Sequence, residues 1–159
     1  MSTYTMTPRG LQRLHAQLRL LREVERPKNV RDIEEARAHG DLRENAEYHA
    51  AKERQGHIAG QLQALESQIG SAVVIDPSTL SGSRVIFGAT VTLVDLDNDK
   101  APPMVYQIVG ELEGDLAAGL ISMSSPLARG LIGKEEGDEV AIITPKGSRQ
   151  VLIEKVEFR

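Results

Sequence analysis

Two heptad-spaced apolar seams, one on each side of a short polar turn, constrain this chain more than any other feature. Leu11, Leu14, Leu18 and Leu21 step by 3, 4 and 3 residues. Tyr48, Ala51, Gln55, Ile58, Leu62, Leu65 and Ile69 alternate steps of 3 and 4, with Gln55 the one polar member. Seams of this period belong to helices that pack along their length. Two such helices joined by a short turn fold back antiparallel. About 30 residues per arm at ~1.5 Å each makes a rod of roughly 45 Å, with the polar turn at its tip.

Local signals bound the two helices. Thr7 is placed to cap the first, and Pro8 fits its first position. Pro27 lacks a backbone donor and is predicted to interrupt and kink the helix. Val30, Ile33 and Ala36 then resume an apolar stripe, and Gly40 suits a left-handed helix end. The second helix is predicted to start at about Asp41 and to close at Gly70.

From residue 72 the period changes to 2. Residues 72–75, 85–96, 104–112, 139–144 and 150–158 read as strands. Asp97-Asn98-Asp99-Lys100 and Pro145-Lys146-Gly147 are turn sequences. Val151 and Ile153 alternate in one phase, Val156 and Phe158 in the other, which predicts a bulge near Glu154–Lys155. Ser125-Pro126 opens one short helix, as cap and first residue. The expected class is α+β. Residues 1–76 form an antiparallel coiled coil with an acidic tip at 40–45. Residues 77–159 form a mainly antiparallel sheet with one short helix, and 76–84 is the linker.

Composition excludes several functions. No Cys is present, so disulfides and thiolate metal sites are ruled out, and a cytoplasmic setting is expected. No run approaches the ~18 apolar residues of a membrane span, so no membrane partner is expected. Residues 1–75 hold 11 Lys and Arg against 10 Asp and Glu (+1), and residues 76–159 hold 8 against 13 (−5). A general grip on duplex DNA needs a more basic surface.

The tip carries Asp41 and Glu44. Spacing alone leaves two readings open. The pair is a variant of the capping box, with the Asp at a helix start and the Glu three residues on. It is also a hard-oxygen pair at the end of a rod, where a metal ion would be delivered. Arg37, His39, Arg43, Lys52 and Arg54 surround it, either as a solvated helix face or as a field for an anionic ligand.

The run from Glu35 to Glu53, through Gly40-Asp41-Leu42-Arg43-Glu44-Asn45-Ala46-Glu47-Tyr48, closely resembles the tip of the GreA/GreB transcript-cleavage factors of bacterial RNA polymerase. So do Ser125-Pro126-Leu127-Ala128-Arg129-Gly130-Leu131-Ile132-Gly133-Lys134 and Arg84-Val85-Ile86-Phe87-Gly88-Ala89-Thr90-Val91. The acidic balance resembles the GreA branch. The resemblance implies a factor that inserts its coiled coil into the polymerase's secondary channel and stimulates cleavage of backtracked RNA. Asp41 and Glu44 would share a Mg²⁺ with the polymerase active site, an ion not stably held by the free protein. Arg37, Arg43, Lys52 and Arg54 would meet the nascent RNA 3′ segment. The C-terminal domain would be FKBP-like. Ser125, Pro126 and Arg129 would dock it on the polymerase's largest subunit at the channel rim. The chain would work as a monomer and as an accessory factor, with the catalysis belonging to the polymerase.

Three other readings compete. A channel-blocking inhibitor of the same shape would carry a more acidic tip. A free-standing metal nuclease fails on ligand count, because two carboxylates leave most of a Mg²⁺ shell to water. A structural adaptor would use the acids as a cap alone. His15, His39, His49 and His57 do not make a convincing metal set.

Overall fold

The computed structural model describes residues 3–41 and 44–159. Two compact units emerge. Leu11–Ala72 form one, and Met1–Gly10 together with Val73–Arg159 form the other. The division read from the sequence lies at residues 76 and 77. The structure groups the N-terminal segment with the C-terminal half, where strand β1 (Tyr4–Met6) pairs with β2 (Ala72–Val74) in a two-stranded sheet of its own. Too short to show a period, β1 escaped the sequence reading.

The first unit is helical. Helix α1 (Pro8–Leu20) opens as predicted, with the Thr7 hydroxyl accepting from the Gly10 amide at 3.2 Å. A π-helical turn, Leu21–Glu25, leads into α2 (Arg26–Ala38). Here the structure corrects the expected break at Pro27. Glu25 and Arg26 keep right-handed helical angles, and the Arg26 amide bonds to the Leu21 carbonyl five residues back. Pro27 would crowd the carbonyl four residues back, and the widened turn just upstream accommodates it.

The same turn sets the inner face of α2, where Ile33 and Ala36 are buried as the stripe predicts. An unbroken heptad from Leu21 would turn Glu25, Lys28, Asp32 and Glu35 inward. The extra residue of the π turn shifts the phase by one. Asn29, Ile33 and Ala36 are therefore buried, while Val30, expected on the stripe, is 46% exposed. Asn29 is 3% exposed, and its Nδ2 donates to the Ala51 carbonyl at 2.9 Å. That carbonyl belongs to α3 (Ala46–Gly70), whose Ala51, Ile58, Leu62 and Leu65 are buried as the seam predicts. Gln55, its polar member, is exposed and accepts from Lys52 at 2.9 Å.

Replacing Asn29 by Ala removes this bond and opens a void in the seam. The expected loss is about 1–2 kcal/mol in urea denaturation followed by helical circular dichroism. A loss below ~0.5 kcal/mol would show that the bond does not hold the two helices together.

In the second unit, strands β3 (Ala89–Asp95), β4 (Met104–Val109), β5 (Leu120–Ser122), β6 (Glu139–Thr144) and β7 (Gly147–Phe158) form a sheet of order β5-β4-β3-β7-β6. All neighbours are antiparallel except β4 and β5, which run parallel. The bulge falls where the alternation changed phase. Thr92 pairs with Lys155 and Leu93 with Ile153, leaving Glu154 unopposed. Strand β3 starts later than expected. Val85 instead bonds to the chain beyond the short helix α4 (Pro126–Leu131), through Lys134 and Gly133. The core is aliphatic, with Val91, Leu93, Ile108, Leu131, Ile142, Val151 and Ile153 at most 2% exposed.

Within this unit a buried carboxylate joins Thr7, in the N-terminal segment, to the chain just after β4. Glu113, 5% exposed, accepts from the Gly110 amide at 2.7 Å, the Thr7 amide at 3.1 Å and the Thr7 hydroxyl. The approach is close enough that a Cβ on Gly110 would collide with the Thr5 carbonyl. Among the described residues, no helix is long and apolar enough to cross a membrane.

Candidate functional site

The tip of the helical unit is built from two helix ends and the loop between them. Helix α2 stops at Ala38. The His39 amide turns back to the Ala36 carbonyl at 3.2 Å, and the Gly40 amide to the Arg37 carbonyl at 3.3 Å. Gly40 has φ +100°, a value that an L side chain adopts only with strain, so the glycine sets where the chain leaves the helix.

Asp41 and Glu44 follow, both exposed. Neither caps α3, which begins five residues later than expected. Its cap is Asn45, whose Oδ1 accepts from the Tyr48 amide at 3.0 Å. The same side chain reaches the other helix, with Nδ2 donating to the Ala36 carbonyl at 2.6 Å. This corrects the capping-box reading of the acids. Asn offers an acceptor for one helix start and a donor for one helix end, whereas an ionised carboxylate only accepts. Asn ranks beside Asp as a cap, and a Glu in the first turn often marks a true start. Asn45 with Glu47 was therefore the local signal available in the sequence.

The cations near the tip are arranged in different ways. The Arg37 guanidinium lies 6.0 Å from the centre of the Tyr48 ring, at the outer reach of a cation–π contact. His39 Nε2 is 4.0 Å from a Glu47 carboxylate oxygen. Lys52 bonds to Gln55, and Arg54 is engaged by Glu25 at 3.0 Å. Arg43 lies outside the described residues.

A Mg²⁺ shell takes six oxygens in near-ideal octahedral geometry. Among the described residues, no three His, Cys, Asp or Glu side chains group closely enough to hold a metal ion. The donor set at the tip fits a hard divalent cation in kind but not in number.

A second surface lies on the sheet unit. Ser125 caps α4, its Oγ accepting from the Ala128 amide at 3.2 Å and donating to the Ser122 carbonyl at 2.7 Å. Beside this cap runs an apolar groove of about 400 Å³, lined by Leu116, Leu120, Pro126, Ile143 and Pro145 among others. Leu116 and Ile143 stand 46% and 64% exposed. Ser125 and Pro126 both border the groove. Arg129, in the last turn of α4, is exposed. Leu116 and Ile143 were not singled out in the sequence, because β5, β6 and the loops around them converge only in three dimensions.

Residues 4–74 match the family model for the N-terminal region of a transcription elongation factor. Residues 80–158 match the model for the C-terminal region of transcription elongation factor GreA/GreB. The chain belongs to the GreA/GreB family. It is 53% identical over 158 residues to transcription elongation factor GreA of Anaeromyxobacter sp. (strain K), covering 99% of this chain and 94% of that one. Identity to the GreA of Acidiphilium cryptum is 54% over 158 residues, covering 99% of each chain. These relatives carry the name of the branch that the acidic balance resembles. Among solved structures, the GreA factor homolog 1 of Thermus thermophilus is 25% identical at a TM-score of 0.45, covering 98% of this chain and 99% of that one. In GreA/GreB terms, the helical unit lies within the N-terminal model and the five-stranded sheet within the C-terminal one.

Proposed function

We propose that this chain is an elongation factor that stimulates the RNA-cleavage activity of bacterial RNA polymerase on backtracked complexes. The observation that carries the reading is an exposed carboxylate pair on the loop of a helical hairpin whose second helix is capped by Asn45, in a GreA/GreB chain. Asp41 and Glu44 would contribute ligands to a Mg²⁺ held jointly with the polymerase. When bound, that ion would supply charge neutralisation for activating water and stabilising the leaving oxygen of an in-line phosphodiester cleavage. Inserting the hairpin through the secondary channel brings the acids to the reacting phosphate. Arg37 and Lys52 then face phosphates of the extruded RNA 3′ segment, and Arg43 would contribute to the same contact. Arg54, engaged by Glu25, contributes less unless that exposed pair opens.

The apolar groove beside Ser125 and Pro126 would dock on the largest subunit at the channel rim, with Arg129 at its edge. The reaction itself stays with the polymerase, and the chain acts as a cytoplasmic monomer.

The decisive experiment mixes the purified protein with backtracked elongation complexes and follows the RNA on a gel. Shortened RNA with a fresh, extendable 3′ end supports the reading. Slowed elongation without cleavage would make the chain a channel blocker, and cleavage of free RNA would make it a nuclease. Ile143→Glu is expected to raise the concentration for half-maximal cleavage about tenfold while leaving the maximal rate intact, since a lost apolar anchor costs roughly 1.4 kcal/mol or more. An unchanged dose response would remove the groove from docking.

A further inference from the structure

We infer that Asn45 is a positioning residue for the acid pair, holding the loop that presents Asp41 and Glu44. The inference rests on the metal role proposed above. Its physical basis is the two-sided bond of one side chain. Asn45 Nδ2 donates to the Ala36 carbonyl at 2.6 Å, and Oδ1 accepts from the Tyr48 amide at 3.0 Å. Ala36 is 3% exposed and belongs to the packed seam, so the first anchor is the rigid part of the hairpin. The second anchor is the opening turn of α3. Asn45 thus staples the end of one helix to the start of the next.

The acids lie inside the span that this staple closes. Glu44 immediately precedes Asn45, and Asp41 immediately follows Gly40, whose own amide is bonded to the Arg37 carbonyl. Both ends of the acidic loop are therefore held by bonds to α2. A carboxylate that must complete a metal shell within ~0.5 Å gains from supporting hydrogen bonds of this kind. An ordinary cap needs only the bond to the Tyr48 amide. The donor bond to Ala36 does nothing for α3 and closes the loop instead.

That difference separates positioning from capping. Asn45→Asp is nearly isosteric and an equally good cap, but its ionised carboxylate cannot donate to the Ala36 carbonyl. Asn45→Ser keeps a cap of similar strength with too short a side chain to span both anchors. The full-length protein is used for both variants, with Asp41→Ala as a parallel control. Backbone order parameters of Asp41 and Glu44 are measured by NMR in the free protein. Cleavage of backtracked RNA is titrated with Mg²⁺, and polymerase binding is measured by competition.

Both variants are expected to lower order at residues 41 and 44 while residues 50–70 keep theirs. The Mg²⁺ concentration for half-maximal cleavage should rise about tenfold. The rate at saturating Mg²⁺ should fall less, and polymerase binding should hold. Unchanged order and an unchanged Mg²⁺ titration in both variants would overturn the inference. Loss of order spread evenly through α3 would also overturn it, leaving Asn45 as a cap alone. If Asp41→Ala cleaves normally, the metal reading itself fails. The order parameters then still report whether Asn45 holds the loop.

Discussion

Asp41→Ala and Glu44→Ala are each expected to lower stimulated RNA cleavage at least about a hundredfold, while polymerase binding and thermal stability stay as they are. The magnitude follows from losing a ligand or its water from a charge-stabilising metal site. The preserved stability is specific to this structure. A cap substitution would cost about 0.5–2 kcal/mol, but α3 is capped by Asn45, and both acids stand exposed on the loop before it. Exposed substitutions away from caps stay within about 0.5 kcal/mol. Cleavage gels, competition for polymerase and a urea melt are read on the same preparations. Full cleavage by either variant would remove that acid from the metal. A melt lowered by more than 1 kcal/mol would restore the capping account.

Glu113→Ala is expected to destabilise the protein by about 3 kcal/mol. The carboxylate is 5% exposed and accepts from the Thr7 amide, the Gly110 amide and the Thr7 hydroxyl. Truncation leaves those donors without their acceptor, at roughly 1–3 kcal/mol for each buried group and with incomplete additivity. A negative charge beside the first turn of α1 also complements the helix dipole. Glu113→Gln can keep its oxygen on the Thr7 and Gly110 amides and turn its NH2 toward the Thr7 hydroxyl, which then accepts, but it loses the charge, so it should fall between the parent and Glu113→Ala. Equilibrium urea denaturation of the full-length protein measures both. A cost below 1 kcal/mol for Glu113→Ala would mean that water replaces the carboxylate. A variant that fails to fold leaves Glu113→Gln as the readable case, with an expected cost of about 1–2 kcal/mol.

The candidate site was legible in parts. Asp41 and Glu44 could be chosen because they sit in a polar turn between two periodic segments and because the run resembles the family tip. That Asn45 rather than Asp41 caps α3 was not legible, since the two are equally good helix starts by residue type. What separates them is the Ala36 carbonyl, nine residues back in sequence, which only the folded hairpin brings to Asn45. The docking groove was half legible. Ser125-Pro126 announced its own helix start, but Leu116 and Ile143 come to line one groove with it only in the folded chain, from segments distant in sequence.

The same division runs through the fold. The sequence by itself determined the helical seam of α3, the Thr7–Pro8 start of α1, the turn at Gly40, the extent of β6 and the bulge at Glu154. Each is encoded by residues within about one helical turn or a few strand positions of one another, so period and side-chain type suffice. Tertiary structure decided the rest. It turned Asn29 inward through a π turn, paired β1 with β2, ran β5 parallel to β4 and buried Glu113 against Thr7, 106 residues away. Partners so distant leave no local trace. The energy that selects them comes from satisfying polar groups and burying surface that exist only once the chain has closed on itself.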